Sequence, residues 1–167
     1  MLNKIPLPLL ILSPPLVALT VGVGASIASQ APVEVGLVGG QLRPCPSPAR
    51  CVNSNADEGA TVPPFPYLGD PDESFQALVA LVADDPNAEL ITVERDYAHA
   101  VYRTPVLRFA DDLELKLERE QDAIHVRSSS RVGYSDLGMN HRRVEDLRAR
   151  WKGGAGRGTS VAVRSPE

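Results

Sequence analysis

The stretch from Ile124 to Asn140, IHVRSSSRVGYSDLGMN, gathers more hydrogen-bonding side chains between two well-patterned elements than any other on this chain. Arg127 and Arg131 are four apart on a segment that reads as a strand. They therefore project to the same side, about 13 Å apart at ~3.3 Å per residue. Gly133 and Gly138 permit a turn through positive φ, which offers Tyr134, Ser135, Asp136 and Asn140. Two chemistries suit this set. One is an arginine–carboxylate network with Asp111 and Asp112 that fixes the strand-to-helix corner, with Asp136 or Asn140 capping the helix. The other is an anion site, in which Arg127, Arg131 and Arg143 join a helix N-terminus to hold a phosphate or carboxylate.

Catalytic patterns are sparse. Asp112, His125 and Ser129 or Ser135 could serve a small hydrolase at the sheet edge, but no Gly-x-Ser-x-Gly elbow accompanies the serines. Asp111 and Asp112 are adjacent on a strand and point to opposite faces, so they cannot share one acid–base site without a bulge. His99, His125 and His141 each read as lone surface or sheet-face histidines. No phosphate-binding loop, dinucleotide fingerprint or zinc spacing occurs, and neither cofactor nor metal is expected. Cys45 and Cys51 are the two cysteines. A metal site would need two further ligands, and none lies near. A structural disulfide closing a small ring is the expectation, with free thiols the alternative.

The elements that must position these groups follow from periodicity. Asp70 is a good N-cap, Pro71 fits a first turn, and Phe75, Leu78, Val79 and Val82 make one apolar face. Residues 89–96 and 97–104 are rich in β-formers with a turn near Arg95-Asp96. Leu113, Leu115 and Leu117 alternate with Glu114, Lys116 and Glu118, which predicts a half-buried strand with its charges in water. Glu120-Gln121-Asp122 turns the chain into a last strand. A final helix over 140–151 carries Val144, Leu147 and Trp151, with Leu137 before them and an Asp146–Arg150 pair on its surface. The fold class is α+β: a three- to four-stranded antiparallel meander with two helices packed on one face, in the order α-β-β-β-β-α.

Around this 70–151 domain lie three other regions. Residues 29–69 are rich in Pro and Gly and read as a linker holding the Cys45–Cys51 loop, while 152–167 read as a disordered tail. Lys4 is the single charge before Glu34, and the apolar run between them is long enough for a span of ~20 residues. Residues 1–28 thus read as a signal peptide, with Ser26 and Ala28 at the small cleavage positions, or as an uncleaved N-terminal anchor. Either places the protein outside the cytoplasm, released to the periplasm or held at the membrane. A net charge of −4 argues against a nucleic-acid partner. The expected function is a non-catalytic binding or structural module of the cell envelope, whose partner is an anionic small molecule or an envelope protein. The alternatives are the small hydrolase and a binder of a lipid or other apolar ligand between sheet and helices.

The run RSSSRVGYSDLGMNHRRVEDLR, preceded by FADDLELKL and, well upstream, by LRPCPSPARCV, resembles the bacterial and plastid family of exported proteins called domain of unknown function fourteen ninety-nine. The resemblance covers roughly residues 42–151. It implies one domain in an exported or membrane-associated setting, and it implies no particular activity. Ala49-Arg50 stand where members often carry Pro-Asn, and His141 stands where arginine is usual.

Overall fold

A computed structural model describes residues 27–29, 34–56, 60–66 and 69–154, with side chains through Trp151. Most of the apolar run 1–28 and of the tail 152–167 lies outside the described residues. A short hairpin comes first, β1 (Leu37–Val38) and β2 (Gln41–Leu42), turned by Gly39 and Gly40 at φ 60° and 84°. Then come β3 (Cys51–Asn53), β4 (Phe65–Pro66), α1 (Pro71–Ala83), β5 (Ala88–Val93), β6 (Tyr97–Arg103), β7 (Ala110–Glu118), β8 (Ala123–Ser130) and α2 (Met139–Gly154).

The α+β class holds, but the sheet is larger than the meander expected. It has six strands, in the order β3-β8-β7-β6-β5, with β4 also pairing to β8, and every pairing is antiparallel. The two additional strands come from the Pro- and Gly-rich segment. β3 covers Arg127–Ser129 and β4 covers Ala123–Ile124 along one edge of β8. Strands this short carry no periodicity to read, and their ladder bonds reach residues far along the chain. The order α-β-β-β-β-α is corrected accordingly, because four short strands precede the first helix.

α1 starts as its sequence requires: the Asp70 carboxylate accepts from the backbone N–H of Asp72 (2.9 Å) and Glu73 (3.0 Å). Its buried stripe is Phe75, Leu78, Val79 and Val82. With Val144, Leu147 and Trp151 of α2 they close one core against Ala98, Ala100, Leu113, Leu115, Leu117, Ile124 and Val126 of the sheet. Both helices therefore cover the same sheet face.

The other face departs from expectation. Asp112, Glu114 and Lys116 are buried rather than wet. Alternation along β7 separates its two faces correctly, but the charged face is roofed by chain from the N-terminal side. Gly36 N–H donates to Glu114 Oε1 at 2.6 Å, and Ser29 Oγ accepts from Ala110 N–H at 3.1 Å. Two expectations for the closing helix and its approach also change. Leu137 is exposed, and Arg150 donates to the Leu81 carbonyl (2.7 Å) beside Asp85 instead of pairing with Asp146.

Candidate functional site

The strand Ala123–Ser130 sends alternate side chains to opposite faces, and so does its partner Ala110–Glu118, with Asp111 opposite Ser130 and Asp112 opposite Ser129. The eight polar residues singled out in the sequence are consequently divided between two clusters. On the helix side stand Asp111, Ser135, Asp136, Asn140 and Arg143. On the roofed side stand Asp112, Arg127 and Arg131.

The helix-side cluster is a corner brace. Asp136 caps α2, accepting from Gly138 N–H (2.8 Å) and Asn140 N–H (2.9 Å). Partial burial pushes its carboxyl up, but these bonds outweigh burial and hold it below the usual range. The turn into the helix takes Leu137 to φ 54° and Gly138 to φ 77°. Glycine accepts that region freely, whereas leucine holds it at a cost of about 1–2 kcal/mol. Ser135 Oγ accepts from Leu137 N–H at 3.2 Å.

Asn140 is the hub of this corner and is fully buried. Its Oδ1 accepts from Ser128 Oγ (2.7 Å) and Arg143 Nη1 (2.5 Å). Its Nδ2 donates toward the Arg50 carbonyl (3.0 Å), Ser130 Oγ (2.9 Å) and Asp136 Oδ2 (2.7 Å). Arg143 also pairs with Asp111 Oδ2 at 2.5 Å and lies 4.7 Å over the Tyr102 ring. Burial, followed by nearby Asp85, pushes the Tyr102 hydroxyl up to about 12. Asn140, Asp136, Ser128 and Arg143 find partners in one another, as the members of a brace do. Asn140→Ala is expected to cost about 2–3 kcal/mol, since it strands several buried partners at once. Urea denaturation of the full chain measures it, and a loss under 0.5 kcal/mol would remove the hub assignment.

The roofed side is different in kind. Arg131 holds Asp112 with two bonds, Nε to Oδ2 at 2.9 Å and Nη2 to Oδ1 at 2.8 Å. His99 Nε2 meets the same Oδ1 at 2.7 Å. Burial alone would raise the Asp112 carboxyl, but the His99 and Arg131 bonds prevail and hold it below the usual range. Glu114 accepts from Arg127 Nη1 (2.5 Å) and from the Tyr97 hydroxyl (2.8 Å). Burial first, then Glu114, pushes the Tyr97 hydroxyl far up.

Above these pairs opens a cleft of about 420 Å³, lined by Glu34, Arg43, Pro44, Cys45, Pro46, Arg50, Asp112, Arg127, Ser129, Ser130 and Arg131. Four guanidinium groups meet there. Arg43 pairs with Glu34 at 3.3 Å, Arg127 with Glu114 and Arg131 with Asp112. Arg50 donates to the Ser130 carbonyl at 2.7 Å and has no carboxylate partner among the described residues. Arg127 keeps one buried donor, Nε, without a hydrogen bond.

Cys45 and Cys51 form a disulfide, so the loop that carries Arg50 is tied to β3 at the cleft wall. Arg43 and Arg50 are the site residues that sequence reasoning missed. They sit in a segment without periodicity, and the signal within reach was Arg50 inside the ring that the two cysteines close.

Of the residues considered for hydrolysis, Asp112 and Ser129 are cross-strand partners that both line the cleft, whereas His125 and Ser135 stand elsewhere. Asp112 is engaged by His99 and Arg131. His125 meets Ser54 Oγ and Gln121 Oε1, each at 3.0 Å, and burial lowers its tendency to protonate. Among the described residues, no cluster of three or more His, Cys, Asp or Glu side chains converges as a metal site would require.

A family model described as "Protein of unknown function (DUF1499)" matches residues 41–150. No curated protein and no solved structure matches this chain. The matched span takes in the disulfide ring, the six strands of the main sheet and nearly all of the closing helix.

Proposed function

From the premise that this chain belongs to the DUF1499 family, we propose that it is a non-catalytic module of the cell envelope that accepts an anion in its arginine-lined cleft. The observation that carries this reading is Arg50. Three of the four guanidinium groups at the cleft have their charge matched by Glu34, Glu114 or Asp112, and Arg50 brings a charge that no carboxylate among the described residues matches. Guanidinium groups suit a planar or tetrahedral oxyanion because each presents parallel donors to two oxygens. The anion site therefore consists of Arg43, Arg50, Arg127 and Arg131, and Arg143 belongs to the corner on the far face.

An exported setting agrees with an apolar N-terminal run bearing Lys4 as its sole charge, and with a disulfide, which persists in oxidising compartments. Among the described residues no helix is long and apolar enough to cross a membrane. The layer between sheet and helices, where an apolar ligand would sit, is filled by fully buried Phe65, Phe75, Leu78, Leu113, Leu115 and Ile124.

The test is a thermal melt of the full chain in rising inorganic phosphate, against chloride at matched ionic strength. At phosphate one hundred-fold above its Kd the gain is about 2.7 kcal/mol, a rise of several degrees in Tm. Arg50→Gln is expected to abolish the rise while leaving the melt in chloride within a degree or two. A rise of equal size in chloride, or one that survives Arg50→Gln, removes the anion reading.

A further inference from the structure

The two ends of the main sheet differ in the apolar groups that their loops expose. At one end the turns are Glu94-Arg95-Asp96, between β5 and β6, and Arg119-Glu120-Gln121-Asp122, between β7 and β8. Both are charged and largely exposed, as connections facing water should be. At the other end the turn between β6 and β7 is Thr104–Phe109, and β8 runs out into residues 131–138. These two loops are neighbours, since Arg131 N–H donates to the Ala110 carbonyl at 3.4 Å. They present bulky apolar groups to the outside: Val106 is 87% exposed, Tyr134 92% and Leu137 83%, with Leu107 and Met139 beside them.

Scattered apolar residues on a surface need no explanation, but a cluster on the tips of adjacent loops does. None of these side chains is needed for the fold, because none reaches the core. The flanking charges are of both signs, because the acidic turn Asp84-Asp85 stands at this end too, with Arg103 N–H donating to the Asn87 carbonyl at 2.9 Å. Arg108 and Arg142 are exposed, the turn 104–109 holds no acid, and Asp136 in the second loop is committed to the cap of α2. Tyrosine and aliphatic tips beside Arg108 and Arg142 match the bilayer interface, where amphipathic rings lie at headgroup level and arginines meet anionic lipid.

The chain itself says what stands there. Ser29 is bound at this same end, its Oγ accepting from Ala110 N–H (3.1 Å) and its carbonyl from Arg131 Nη1 (3.3 Å). Ile27, two residues before it, is 69% exposed. The apolar residues 5–26 thus join the domain beside the two loops and not at the charged end. We propose that this end of the sheet is a membrane-docking surface, with Val106, Tyr134 and Leu137 entering the interface of an anionic bilayer into which residues 5–26 insert. The inference rests on the membrane-anchored form of the function proposed above, and it sets which way the domain faces. The charged turns point away from the bilayer.

The test uses the full chain in vesicles of phosphatidylcholine and phosphatidylglycerol at three to one, with part of the phosphatidylcholine brominated to quench tryptophan. Trp151 is buried and serves as background. Val106→Trp and Tyr134→Trp probe the docking end, and Gln121→Trp probes the charged end. All three positions are exposed, so the fold tolerates the change. Flotation first reports whether the chain is on the vesicles. The expected result is at least two-fold stronger quenching for Val106→Trp and Tyr134→Trp than for the wild-type chain, with Gln121→Trp unchanged from wild type. Protein that floats without that quenching, or with equal quenching from Gln121→Trp, overturns the docking surface and leaves the anchor standing. Protein that fails to float overturns both the anchor and the surface.

Discussion

Glu114→Ala is expected to destabilise the protein by about 3–5 kcal/mol, because it leaves a buried guanidinium without its counter-charge. Glu114 is completely buried and holds Arg127, the Tyr97 hydroxyl and Gly36 N–H together. Arg127 is itself buried and already carries one unused donor, so its chain partners are few. A loss of this size is a large fraction of the roughly 5–15 kcal/mol that holds an ordinary domain together. The decisive comparison is the double variant Glu114→Leu with Arg127→Met. Removing both charges takes away the desolvation cost as well as the attraction, so the pair is expected to recover most of the single variant's loss. Urea denaturation reads both. A single-variant loss below 1 kcal/mol would mean that water reaches Arg127, and the roof described over this face would be wrong.

Arg131→Ala is the second large effect, again about 3–5 kcal/mol at neutral pH, since Asp112 is buried and, among the described residues, keeps His99 alone. This effect should depend on pH in a definite sense. The Asp112 carboxyl lies lower in the folded chain than its ordinary value of about 3.9. A depressed carboxyl contributes stability that is present above that ordinary value and is lost as the pH falls through the folded one. Wild-type stability should therefore decline below about pH 4. The gap between wild type and Arg131→Ala should narrow over the same window, because a protonated Asp112 no longer needs the guanidinium. Denaturation curves between pH 7 and pH 3 test this. A gap that stays constant across the window would place the cost of the substitution in lost packing and not in the ion pair.

The two substitutions also separate framework from function. Glu114 and Asp112 hold arginines that line the cleft, so their loss should weaken anion binding and the fold together. Arg50 contacts the Ser130 carbonyl and pairs with no carboxylate among the described residues, so its side chain can be changed with little effect on the fold. Anion binding that falls with Arg50→Gln at constant stability is the signature of a site. Binding that follows stability alone is the signature of a brace.

Much of this architecture was legible in the residues. Asp70, Pro71 and the stripe Phe75, Leu78, Val79 and Val82 fix the first helix, because capping and 3.6-residue periodicity act within a few residues. The alternation of Leu113, Leu115 and Leu117 separates the two faces of β7 for the same reason. That Asp111 and Asp112 could not share a site also followed from alternation, and they lie in separate clusters with Arg143 and Arg131. What sequence alone could not supply was the material covering the second face. Leucine at every other position states that one side is apolar, and it says nothing of whether the charged side meets water or a roof. The answer came from Gly36, Arg43 and Arg50, which lie more than sixty residues away in a segment with no period of its own. Local chemistry thus determined the elements and their faces, and long-range contact alone decided that the charged face is buried, that six strands form the sheet, and that four arginines share one cleft.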